Sequence, residues 1–173
     1  MKTIAKPQPG EHGAYYSRYI DLVPDDGRVI QHMQDDLEQV MGLVRSMPDA
    51  KLGTPHAPGE WTVKDILVHV ADAERIFAYR ALRIARGDVT ALPGFEQDGY
   101  VPNARANQRP IDDILAEYAA VRAATIAFFT SLDEAALVRL GTASGSPLSV
   151  RAAAYIIAGH ELHHIISIRE NYG

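Results

Sequence analysis

The stretch from Ser149 to Asn171 constrains the fold more than any other part of this chain. Its apolar residues, Ala152, Ala153, Ala154, Ile156, Ile157, Ile165, Ile166 and Ile168, fall on almost every side of a helical period. A helix that is apolar nearly all round is the buried member of a bundle. Ser149 is placed to cap it, because a serine oxygen can accept from an N–H that the first turn leaves unpaired.

Gly and Pro divide the rest into segments that could surround such a helix. Asp25 or Asp26 can cap a helix over 27–47, with Ile30, Met33, Leu37, Val40, Met41 and Val44 on one face and Pro48 as its stop. Thr62-Val63-Lys64-Asp65 has the form of a capping box, with Trp61 and Ile66 placed as a hydrophobic staple. That helix runs to Arg86 and stops at Gly87; its inner line is Ile66, His69, Val70, Ala73, Phe77, Ala81 and Ile84. Pro110 opens a third helix, whose stripe is Ile111, Ile114, Leu115, Tyr118, Val121, Thr125 and Phe128 or Phe129. Residues 131–134 look like the start of a short extra helix.

The first 24 residues, rich in Pro, Gly and Tyr, read as an arm. Residues 87–109 carry Pro93, Gly94, Gly99 and Pro102 and no periodic pattern, so they form a long crossover of the kind that is either functional or mobile. Nothing reads as a strand. The expectation is an all-α single domain over 1–173, a four-helix bundle with an N-terminal arm and a long crossover loop.

Composition narrows the function. The chain has no cysteine, which excludes disulfides, thiolate ligands and a cysteine nucleophile and fits a cytoplasmic location. A net charge of −5, with acids and bases interspersed, leaves no basic stripe for nucleic acid. No apolar run approaches the length of a membrane span, and the N-terminus lacks the apolar core of a secretory signal.

Histidines stand where the bundle calls for apolar residues. His160 and His164 extend the line Ala153, Ile157, Ile168 of the last helix, and His69 sits on the inner line of another. Residues four apart on a helix have β-carbons roughly 5–6 Å apart, close enough for two imidazoles to share an ion. Buried imidazoles lose about 1–3 kcal/mol for each unmet hydrogen bond, and a divalent metal would satisfy several at once. Because the last helix is apolar on most sides, periodicity does not separate the pair His160/His164 from His160/His163.

The segment His160-Glu161-Leu162-His163-His164 also matches the zinc-protease pattern HExxH. Those enzymes add a third ligand downstream, and the nine residues after His164 hold no histidine, so a protease is rejected. Of the upstream histidines, His12 lies in the arm, His56 in a Pro-rich loop and His32 off the inner stripe. Only His69 is both helical and inward. Three nitrogens leave open positions on an ion, as catalytic sites do.

The segment from Trp61 to Glu74 and the segment Gly159-His160-Glu161-Leu162-His163-His164 resemble the second and last helices of DinB/YfiT-like proteins. The arm Tyr15-Tyr16-Ser17-Arg18-Tyr19-Ile20 and the loop Leu92-Pro93-Gly94-Phe95 resemble a bacterial branch of that family. The resemblance implies a bundle of up-down-down-up order, a metal site formed by His69, His160 and His164 rather than His163, zinc or nickel as occupant, and a homodimer. Relatives include thiol-dependent transferases and isomerases.

Three functions follow for such a site: metal-dependent hydrolysis of a small molecule, metal- and thiol-dependent S-transfer or isomerisation, or metal binding without catalysis in a stress response. Asp72 and Glu161 are candidates for a base or for orienting a ligand ring; their alternatives are ion pairs, with Arg75 or Arg80 for Asp72 and at the bundle edge for Glu161. Tyr15, Tyr16 and Tyr19 either close over the site or simply pack. Phe95, Gln97, Asp98 and Tyr100 could shape an entrance.

Overall fold

The computed structural model describes residues 2–173. A 3₁₀ turn (Ala14–Tyr16) leads into α1 (Ser17–Ile20), followed by α2 (Val29–Arg45), α3 (Asp49–Leu52), α4 (Val63–Ala85), α5 (Gln97–Ala104), α6 (Ile111–Ser131), α7 (Glu134–Leu137), β1 (Leu140–Ala143), β2 (Ser146–Ser149) and α8 (Val150–Tyr172). The four long helices α2, α4, α6 and α8 form a four-helix bundle. α4 packs on α8 and α6, α2 packs on the same two, and α1 lies against α8. Residues 152–158 are buried without a break, as an all-round apolar helix requires.

Helix starts follow local chemistry. The Thr62 hydroxyl accepts from the Asp65 N–H at 3.1 Å while the Asp65 carboxylate accepts from the Thr62 N–H at 3.1 Å, so the expected capping box is present. Ser149 caps α8 through the Ala152 N–H at 3.0 Å. The start of α2 differs from expectation. Asp26 accepts instead from the backbone and side chain of Arg28 and contacts His32, so α2 begins at Val29 without a side-chain cap.

Four sequence expectations are corrected. The arm is not devoid of structure, since it carries the 3₁₀ turn and α1. The crossover contains α5, which buries none of its residues and therefore leaves no apolar period to find. Strands exist: β1 and β2 pair antiparallel around Ser144 and Gly145, both at positive φ (53° and 73°), a two-residue turn whose twist suits a hairpin. With Gly141 and Pro147 in four-residue strands and Leu140 exposed, the alternation that marks a strand is missing. Finally, α6 is long and apolar enough, by length and composition, to cross a membrane, the only such helix among the described residues. Its alanines raise the average while Asp112, Asp113, Glu117 and Arg122 interrupt any continuous run. In this fold α6 is a bundle member with Arg122 wholly buried against α4 and α8.

Candidate metal centre

α4 carries His69, and α8 carries His160 and His164 on one face, one helical turn apart. The packing of α4 on α8 brings the three rings together. The Nε2 of His160 lies 3.2 Å from the Nε2 of His69 and 3.2 Å from that of His164. One nitrogen from each ring falls within 4.8 Å of the other two. His69 and His160 are buried and His164 is half-buried.

Burial keeps these rings neutral. It lowers His69 to about 4, against the opposing pull of Asp98, and lowers His164 to about 3, aided by its histidine neighbours. His160 lies well below the usual imidazole range, through burial first and then the other three rings around it. A neutral imidazole has one N–H and one lone pair. Nitrogens of three neutral rings can converge on a cation, and a tetrahedral ion with ligands at ~2.0–2.1 Å separates them by about 3.3 Å. The observed 3.2 Å separations and the all-nitrogen donor set fit a divalent metal.

The rings are held from both sides. The indole of Trp61 tilts over His69, and Tyr19 meets the His160 ring edge-on at 5.2 Å between centroids. The Tyr172 hydroxyl donates to the Trp61 carbonyl and accepts from the His56 N–H, tying the end of α8 to the loop that carries the indole. His163 is exposed, beside Tyr19 and outside the cluster. His12, His32 and His56 lie elsewhere, with His32 against Asp26 and His56 against Tyr172.

A cavity of about 250 Å³ adjoins His160. Tyr15, Tyr16 and Tyr19 of the arm, Phe77 of α4 and the crossover residues Phe95, Gln97 and Asp98 line it. On the His69 side a void of about 10 Å³, room for one water, lies under α5 beside Asp65, Asp72 and Tyr100. Asp72 thus shares a surface with His69; its carboxylate also accepts from Arg75 at 3.3 Å, and burial raises its pKa in spite of that partner.

Glu161 is not at the cavity. One residue on from His160 turns it about 100° round the helix. There its carboxylate accepts from the Tyr118 hydroxyl and from Arg122 Nη1, each at 2.6 Å, and is 1% exposed. A role as base at the histidines is therefore corrected, and so is the bundle-edge ion pair, because this pair lies in the core. Arg122 also holds the Glu74 carboxylate through Nε and Nη2 and donates to the Met33 carbonyl at 2.8 Å, joining α2, α4, α6 and α8. The sequence reading missed this network, although Arg122 lies four residues after Tyr118 on the inner stripe of α6.

The family model of the DinB superfamily matches residues 32–168. A protein named "Putative metal-dependent hydrolase" from Geobacillus thermodenitrificans (strain NG80-2) is 30% identical over 161 residues, covering 83% of this chain and 89% of that protein. A similarly named protein from Geobacillus kaustophilus (strain HTA426) is 30% identical over 137 residues, covering 75% and 76%. Among solved structures, YfiT from Bacillus subtilis, described as "a probable metal-dependent hydrolase with an unusual four-helix bundle topology", superposes with a TM-score of 0.72 at 20% identity, covering 96% of this chain and 91% of its own. A mycothiol-dependent maleylpyruvate isomerase gives 0.67 at 13% identity, covering 85% of this chain and 61% of its own.

Proposed function

Because this chain belongs to the DinB superfamily, we propose that it is a metal-dependent hydrolase of a small molecule, with one zinc or nickel ion held by His69, His160 and His164. The observation that carries the reading is the convergence of Nε2 atoms from two buried rings and one half-buried ring of α4 and α8, those of His69 and His164 each 3.2 Å from that of His160. A divalent ion bound there supplies Lewis acidity, polarising a substrate carbonyl and bringing the pKa of water towards neutrality.

The chain's own residues supply the rest. Tyr16, Phe77 and Phe95 give the cavity an apolar wall that excludes bulk water from a bound substrate. Of the two carboxylates beside the void near His69, Asp65 is engaged in the capping box of α4, while Asp72 shares the surface with His69 and has a raised pKa that suits a group that takes and returns a proton. Tyr19, held at about 12 by burial first and then by Tyr15, stays protonated and can donate towards a substrate oxygen.

A second reading, metal- and thiol-dependent transfer or isomerisation, draws support from the fold shared with the mycothiol-dependent isomerase. A cavity of about 250 Å³ beside His160 favours either reaction over metal binding alone. The test is direct. Elemental analysis of purified protein should show one equivalent of metal, lost from both His160→Ala and His164→Ala. A panel of esters and amides, assayed against a low-molecular-weight thiol plus electrophile, then separates hydrolysis from transfer. Full metal content in both variants would refute the ligand assignment, and turnover only in the presence of thiol would favour the second reading.

A further inference from the structure

We propose that the cavity beside His160 recognises a small monocarboxylate, through the Ser144 hydroxyl with the Arg80 guanidinium directly behind it. The inference rests on reading this cavity as the substrate pocket and adds the class of ligand it takes.

Arg80 is 2% exposed, yet no carboxylate lies within ion-pair distance of it among the described residues. Its Nη2 donates to the Pro93 carbonyl at 2.8 Å and to Ser144 Oγ at 2.9 Å, while Nη1 is buried with no hydrogen-bond partner. Arg122, equally buried, is gripped by two carboxylates. A guanidinium does not discard its proton, so a buried one without a counter-charge is held at a cost that a bound anion would offset.

The surroundings point this charge towards the cavity. The guanidinium carbon lies 5.1 Å from the ring centroid of Phe77 and 5.7 Å from that of Phe95. Both rings, and Ser144, line the cavity. Ser144 Oγ accepts from Arg80, which leaves the hydroxyl proton free to donate into the open space. Ser144 also adopts a φ of 53°, where hairpin turns favour Gly, Asn or Asp. A serine in that conformation keeps a hydroxyl at the site in spite of backbone strain, and such strain clusters at ligand clamps.

Size and charge narrow the ligand. The cavity suits a carboxylate on an aromatic or short aliphatic body, seated against Tyr16, Phe77 and Phe95. Glu96 and Asp98 also line the cavity and are exposed. They repel a polyanion, so inorganic phosphate is excluded while one charge, placed at the Arg80 end, is accepted.

The experiment is an NMR titration of the full chain with phenylacetate, phenylacetamide and inorganic phosphate. It is run on protein as purified and again after chelation, so that a carboxylate on an ion is separated from one at Arg80. The expected result is about tenfold tighter binding of phenylacetate than of the amide, because a hydrogen bond to a charged acceptor is the stronger. That preference survives chelation, phosphate does not bind, and the preference narrows in Ser144→Ala and disappears in Arg80→Met. Ser144→Ala lies on an exposed turn and keeps the test valid if Arg80→Met does not fold. Equal affinity for acid and amide, or a preference unchanged in Ser144→Ala and in any folded Arg80→Met, would reduce Arg80 to a clamp between the crossover and the hairpin and overturn the proposal. Because the chelated titration needs no metal, its failure is separate from failure of the hydrolase reading.

Discussion

The indole of Trp61 lies 4.8 Å, centroid to centroid, from the imidazole of His69. It is the only tryptophan in the chain, so its fluorescence reports on one side of the histidine cluster. Added to chelated protein, Ni²⁺ should quench that emission saturably at one equivalent, and His69→Ala should abolish the response. Emission that ignores an ion shown by elemental analysis to be bound would place the ion away from His69.

Arg122 is the only cation facing two buried carboxylates, Glu74 and Glu161, among the described residues. Removing it in Arg122→Met leaves both uncompensated and should cost ~3–5 kcal/mol at neutral pH, measured by urea denaturation. The loss should be smaller in acid. Burial raises Glu161 to about 7 even against Arg122 and Tyr118. A carboxyl raised on folding favours the native state below its unfolded pKa, and that contribution disappears as pH rises through the folded value. The variant should therefore lose more at pH 8 than at pH 5; a penalty independent of pH would contradict this charge assignment.

Asp36 gives the same sign at a separate place. It is buried with Oδ2 unpaired, and burial raises it to about 6 despite the charges of Arg122 and His32. Its stabilising protonated form persists below the unfolded carboxyl value near 4 and is lost through pH 6. Asp36→Asn should thus be more stable than the parent by ~1–2 kcal/mol at pH 8 and indistinguishable from it at pH 4. Thermal denaturation at the two pH values decides the matter, and a variant less stable at pH 8 would show that the carboxylate is needed in its charged form.

Gly159 precedes His160 because α1 leaves it no room for a side chain. A β-carbon there would stand 2.0 Å from the Tyr19 carbonyl oxygen, backbone that cannot swing aside. Gly159→Ala should displace the arm, cost ~1–3 kcal/mol and speed cleavage by trypsin after Arg18, which is already exposed. Digestion after Arg18 no faster than in the parent would mean that the arm is held by other contacts.

The long helices were legible where a cap and a one-sided stripe coincided. Thr62 with Asp65 fixed the start of α4, and Ile66, His69, Ala73 and Phe77 on one line placed His69 inward. α8 offered no such face. With apolar residues all round, neither the inwardness of His164 over His163 nor the opposite aim of Glu161 can be read from spacing; both depend on which helix packs where. α5 and the hairpin were hidden for another reason. α5 buries no side chain, and the short strands β1 and β2 are bracketed by Leu92 and His12, partners distant in sequence. Arg80 and Ser144 come together only because the hairpin folds back over the crossover, 64 residues apart along the chain.

His69 and His160 meet although they stand 91 positions apart in the chain. In an unfolded chain those nitrogens are scattered over a large volume, and gathering them costs closure entropy that only packing of α4 on α8 supplies. An ion at this point would accordingly discriminate between native and unfolded chains, acting as a reversible cross-link whose strength depends on how much free metal surrounds the protein. The midpoint of thermal unfolding would then rise with metal concentration, so the stability of this bundle becomes a readout of the metal supply around it.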